Sequence, residues 1–79
     1  EIRIGDTPVS ATAKEYALLR TLLLHRGRAL TRDFLLDTVW GENYGETRTL
    51  DLHIAQIRRL IAPAGVHIRT VRSVGYMLE

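Results

Sequence analysis

An α+β fold, three helices with a β-hairpin at either end, is what this chain predicts. Three observations carry the prediction. Leu50, Ile54, Ile57 and Ile61 recur at i, i+4, i+7 and i+11 within Thr47–Ala62, a segment without Gly or Pro; this is the apolar period of an amphipathic helix. Two helix-start signals, Thr12-x-x-Glu15 and Thr31, stand upstream of it. At both ends of the chain, in Glu1–Ser10 and Val66–Glu79, the apolar period falls to two, as in strands.

The elements follow in order. Ile2 and Ile4 alternate with polar neighbours, Gly5-Asp6 is a turn pair, and Thr7–Ser10 is a second extended piece. A two-stranded hairpin alone is barely stable, so this one must pack on the helices or pair with further strands. A chain that opens inside a strand is expected of a fragment of something longer. Thr12 and Glu15 can cap each other's amides and begin a first helix that runs to about His25. Gly27 stops it. Its inward face is read as Tyr16, Leu19 and Leu23, with Leu22 beside them. Thr31 caps a second helix, Arg32–Trp40, with Leu30 and Leu35 at the spacing of a hydrophobic staple. Leu35, Leu36 and Val39 face inward, and Trp40 is read as core. Gly41–Gly45 is a loop. The third helix is the Thr47–Ala62 segment, ended by Pro63. In the tail, Val66, Ile68 and Thr70 alternate with His67, Arg69 and Val71. Tyr76–Leu78 is the returning strand, Tyr76 is read as core beneath it, and Arg72 lies at or near the tip.

Seventy-nine residues, 46% hydrophobic and 25% charged, make one small globular domain. There is no cysteine, so neither a disulfide framework nor a thiolate metal site is expected. Arg20 and His25 interrupt the apolar runs, so no membrane span is predicted, and no signal peptide opens the chain. The three histidines, His25, His53 and His67, lack metal-ligand spacing. Ser10 and Ser73 have no evident base, and there is no Gly-rich phosphate loop. No cofactor and no catalysis are expected. Net charge is only +2, but it is unevenly spread. Residues 1–46 hold six Lys/Arg against seven Asp/Glu, a balance of −1. Residues 47–79 hold five Arg against Asp51 and Glu79, a balance of +3.

The basic half contains the third helix. At about 100° per residue, its apolar stripe leaves Arg48, Leu52, Ala55, Gln56 and Arg59 on the outer side. A face with arginines, an amide and no acid suits a DNA groove, because phosphates repel carboxylates while base edges pair with Arg and Gln. The bland alternative is a solvated helix face. Two helices, a loop, a third helix with a basic outer face and then a hairpin make the winged variant of helix-turn-helix. In that arrangement the third helix fits the major groove, about 12 Å wide, and the hairpin reaches the neighbouring minor groove.

The residues also carry a resemblance. Arg48-Thr49-Leu50-Asp51-Leu52-His53-Ile54 followed by Arg69-Thr70-Val71-Arg72-Ser73-Val74-Gly75-Tyr76 resembles the OmpR/PhoB family of response-regulator effector domains. Thr12–Leu19 resembles that family's entry to its first helix, and Leu35–Gly41 its second. Four blocks in this order cover essentially the whole chain. The resemblance implies a four-stranded N-terminal sheet, whose first strands would precede this chain. It implies a cytoplasmic bacterial transcription factor with an upstream receiver domain phosphorylated by a sensor kinase. It further implies binding to direct-repeat half-sites, and contact between RNA polymerase and the loop holding Gly41, Glu42, Asn43 and Tyr44. The chain departs from the family pattern at Ala55 and Gln56, where basic residues are common, at Ser73, a frequent wing glycine, and at Arg26, a frequent proline.

Residue by residue, Gln56 is read as a bidentate partner of adenine, against a solvated amide. Leu52 is matched to a thymine methyl, against incidental exposure. Arg48, Thr49, His53, Arg58 and Arg59 are phosphate candidates that set position; for Arg58 the alternative is a salt bridge to an acid of the first helix. Asp51 is expected to partner an arginine. Thr70 and Arg72 are the wing contacts. The leading function is sequence-specific binding of double-stranded DNA. The alternative is a winged-helix protein-interaction module without a nucleic-acid partner. An RNA binder is disfavoured, since no exposed sheet carries stacking aromatics.

Overall fold

The computed structural model describes residues 2–41 and 48–79. Strands β1 (Ile2–Ile4) and β2 (Thr7–Val9) pair antiparallel, with Ile4 opposite Thr7 across the Gly5-Asp6 turn. Val9 is buried and Ile4 packs against the helical core. The hairpin is therefore stabilised by burial against the helices.

Helix α1 (Ala13–Leu24) begins with the expected capping box. The Glu15 amide donates to Thr12 Oγ1 at 3.2 Å, and the Thr12 amide donates to Glu15 Oε1 at 2.9 Å. Glu15 is buried in the process. Its inward face is Leu18, Leu19 and Leu22, and Tyr16 is 45% exposed, which corrects the sequence reading of Tyr16 as core. Capping turns Glu15 inward, and Tyr16, about 100° further round, is carried out to solvent. Gly27, at φ 83°, donates its amide to Leu78 O at 2.8 Å, so the helix stop is also a tie to the last strand.

Helix α2 (Arg32–Trp40) is capped by Thr31, whose Oγ1 accepts from the Phe34 amide at 3.0 Å. Leu30, Leu35 and Leu36 are buried, while Val39 and Trp40 are half-buried at the core edge. Helix α3 (Arg48–Ile61) buries Leu50, Ile54, Ile57 and Ile61 completely. Each such residue stabilises the fold by about 1.5–3 kcal/mol over its exposed state. A 3₁₀ turn, Ala62–Ala64, follows, and Gly65 in the left-handed region ends it. The Thr47 start predicted for this helix, and 42–45 of the predicted loop, lie outside the described residues.

The C-terminal strands β4 (Ile68–Val71) and β5 (Gly75–Leu78) form the expected hairpin, but it is not a free one. A two-residue strand, β3 (Leu30–Thr31), adds to it, giving a sheet of order β3-β5-β4. Leu30 faces Tyr76 and Thr31 faces Gly75. The approach is so close that a Cβ at Gly75 would collide with the Leu30 carbonyl oxygen. Val66 and Ile68 point into the core, but Thr70 is exposed: the predicted alternation stops where β4 runs out from the helices. Among the described residues no helix is long and apolar enough to cross a membrane.

Candidate nucleic-acid interface

Helix α3 and the β4–β5 wing bring most of the predicted residues to one region. Arg48, Leu52, Ala55, Gln56 and Arg59 are all exposed on the outer side of α3, and Leu52 is 64% exposed. The face exists because the four-residue apolar stripe fixes the rotation of the helix on the core.

Asp51 is the one acid of α3, and its charge is spoken for. Its Oδ1 accepts from Arg32 Nη1 on α2 and from the Tyr76 hydroxyl on β5. The expected arginine partner is therefore Arg32. The Arg32 hydrogen bond, assisted by Tyr76, holds the Asp51 carboxyl below the usual carboxylate range. Burial, then the bond to Asp51, pushes the Tyr76 phenol above its ordinary value, and Asp51 in turn raises Arg32. Neutralising the lone acid leaves the outer face of α3 electrostatically suited to an anion.

Arg58 stands apart from the other arginines of the helix. Its Nε and Nη2 donate to Ile68 O at 3.1 and 2.9 Å, and Nη2 also reaches Thr70 Oγ1 at 3.0 Å. The guanidinium lies 5.7 Å from the centre of the Tyr76 ring, a cation–π distance. The acid of α1 offered as its alternative partner, Glu15, is committed to the capping box. The Thr70 hydroxyl oxygen accepts from Arg58, which leaves its O–H to donate.

His53 is half-buried. Its Nδ1 lies 2.9 Å from Thr49 O, and its ring meets Trp40 edge-on at 5.0 Å. A carbonyl only accepts, so Nδ1 carries the proton. In the neutral ring, Nε2 is then an acceptor and has nothing to donate to a phosphate; only the imidazolium does. Thr49 is half-buried beneath it.

The wing turn is closed by Val74 N donating to Val71 O at 3.0 Å. Ser73 has φ 66°, and Arg72 beside it is exposed. Gly41 ends α2, while Glu42, Asn43 and Tyr44 lie outside the described residues. Sequence reasoning missed the roles of Arg32 and of the Tyr76 hydroxyl. No spacing rule links residues 32, 51 and 76; only the tertiary fold does. Among the described residues no group of three His, Cys, Asp or Glu is arranged to hold a metal.

The fold and this surface have counterparts. The family model described as "Transcriptional regulatory protein, C terminal" matches residues 6–78. The chain belongs to this family, the DNA-binding effector domains of OmpR/PhoB-type response regulators. The chain is 44% identical over 82 residues to the sensory transduction protein RegX3 of Mycolicibacterium smegmatis, which covers 99% of this chain and 36% of the relative. It is 37% identical over 78 residues to the phosphate regulon transcriptional regulatory protein PhoB of Escherichia coli, covering 95% and 34%. The domain thus spans about a third of the length of these relatives. Among solved structures, the Klebsiella pneumoniae RstA DNA-binding domain in complex with the RstA box superposes with a TM-score of 0.75 at 32% identity. That match covers 87% of this chain and 72% of the other. The family is one of DNA-binding transcription regulators, not enzymes.

Proposed function

We propose that the domain grips double-stranded DNA with α3 in the major groove and the β4–β5 wing in the adjacent minor groove. One observation carries this reading: the exposed side of α3 presents Arg48, Gln56 and Arg59 while its only carboxylate, Asp51, is neutralised from behind by Arg32 and Tyr76. Gln56 pairs with an adenine edge and Leu52 covers a thymine methyl. Arg48, Thr49 and Arg59 set the register on phosphates. His53 is a further phosphate candidate. Arg72 enters the minor groove, where its potential is most negative. Thr70 takes part in the bond that joins the wing to Arg58 of α3.

In the full-length protein, a receiver domain upstream of Glu1, phosphorylated by a sensor kinase, controls this domain in the bacterial cytoplasm. Tandem copies occupy direct-repeat half-sites, and the loop of Gly41, Glu42, Asn43 and Tyr44 meets RNA polymerase. The names of the full-length relatives, a sensory transduction protein and a regulon regulator, support this wider reading. The test is selection of bound duplexes from a random pool, followed by sequencing. Enrichment of a repeated motif is expected. Failure to enrich any sequence, with retention on DNA indifferent to salt, overturns the reading in favour of a protein-interaction module.

A further inference from the structure

We propose that Arg58 is a positioning residue that fixes the wing relative to the recognition helix. It thereby sets where Arg72 falls when Gln56 is seated. The inference rests on the DNA-docking geometry just described.

The wing is tied to the body mainly through β5 and the turn before it: Gly27 N donates to Leu78 O, Arg32 N to Val74 O and the Tyr76 hydroxyl to Asp51. β5 pairs with β3 over only two residues, Leu30–Tyr76 and Thr31–Gly75. Among the described residues β4 is the outer strand of the sheet. Arg58 bonds β4 directly to α3. One planar guanidinium grips the Ile68 carbonyl with two donors and the Thr70 hydroxyl with a third contact, and stacks on Tyr76 of β5. It therefore bonds β4 and lies against β5 from a single root on α3. Tyr76 is itself tethered to α3 through Asp51. The bonds occupy Nε and Nη2, so the fork that a bidentate phosphate contact would use is turned to the wing, with Nη1 left over. Lysine cannot substitute, because a point-like ammonium lacks the fixed fork that makes the paired bonds.

The test is a double-variant cycle between the latch and the wing tip. Arg58→Gln, Arg58→Lys and Thr70→Val are each made alone and with Arg72→Ala. They are titrated against the best duplex from the selection and against the same duplex with altered flanks. Thr70→Val removes one acceptor without touching charge or core, so it survives if Arg58→Gln folds poorly. A positioning residue predicts that Arg58→Lys, despite its charge, loses flank discrimination like Arg58→Gln. The affinity loss should be about tenfold in the parent and absent in the Arg72→Ala background, the non-additivity of coupled neighbours. Additive losses overturn the proposal, as does a salt slope that falls by about 0.9 on Arg58→Gln in the Arg72→Ala background; either would make Arg58 a direct phosphate contact.

A second readout needs no DNA. The chain has no cysteine, so spin labels at Ala55→Cys and Val74→Cys report the helix-to-wing distance directly. Arg58→Gln and Thr70→Val should broaden that distribution; an unchanged distribution overturns the proposal. If the parent chain binds no duplex while the distribution still broadens, the DNA reading falls and the mechanical role of Arg58 stands.

Discussion

Tyr76 donates its phenolic hydrogen to the same carboxylate oxygen of Asp51 that Arg32 grips. One oxygen of the recognition helix thus joins α2 to the last strand. The titration directions give this node a pH signature. The Asp51 value is lowered, chiefly by Arg32. Its contribution is present above the ordinary carboxylate value and lost as pH falls through the lower folded one. The Tyr76 value is raised, chiefly by burial. Its contribution is present below about 10 and lost as pH rises through the higher folded one. Stability should therefore be flat through neutrality and fall at both extremes. With the Asp51 side chain 46% exposed, each limb should amount to no more than about 1 kcal/mol. Urea unfolding across pH checks this. Tyr76→Phe should remove the alkaline limb and shrink the acid one, and Asp51→Asn should remove the acid limb and shrink the alkaline one.

Gln56 is exposed on α3. Under the proposed docking, Gln56→Ala should cost about 1–3 kcal/mol on the selected duplex and little on random DNA. Thermal stability should not change. Equal losses on both duplexes would reduce Gln56 to a backbone contact.

Binding should weaken with salt. Log K should fall against log salt by about 0.9 for each phosphate contact. For this small interface we expect a slope equivalent to roughly four to six contacts per domain, read from titrations at several salt concentrations.

Arg72→Ala should reduce affinity and flatten the preference for A·T-rich over G·C-rich flanks, with selectivity at the Gln56 position intact. Arginine in a narrow groove senses width and potential more than base identity. Arg72→Lys should recover more of the affinity than of the flank preference, since ammonium is more strongly hydrated. An unchanged flank ratio in Arg72→Ala, from titrations of paired duplexes, would make Arg72 a phosphate contact.

The third helix was legible in its phase because a four-residue stripe on an otherwise polar segment admits one rotation. Leu50, Ile54, Ile57 and Ile61 are all buried, and Gln56 and Arg59 are out. The first helix was legible in its ends but not its phase. Leucines at 18, 19, 22, 23 and 24 support overlapping stripes, and the choice fell to a buried capping carboxylate that hydrophobicity alone would place outside. β3 was invisible for a different reason. Thr31 was correctly read as a cap and Leu30 is buried, but their strand pairing depends on β5, some 45 residues away. Arg58 looked like its neighbours Arg48 and Arg59 because charge is written in the sequence, whereas a carbonyl within its reach is not.

Gly75 carries a genetic consequence. Its conformation is unremarkable, yet the Leu30 carbonyl occupies the space that any side chain needs. The obstacle is backbone, so no neighbouring rotamer can yield. Every missense codon at this position adds at least a Cβ. Even alanine must prise β3 from β5, at the foot of the wing. In a saturation library screened for folded, DNA-competent chains, position 75 should be an empty column. Positions 27 and 65, where φ is positive but the space is open, should retain asparagine and aspartate, which tolerate that backbone region. Lineages of this domain should therefore vary freely in what the wing tip carries while staying locked at the residue on which the wing stands.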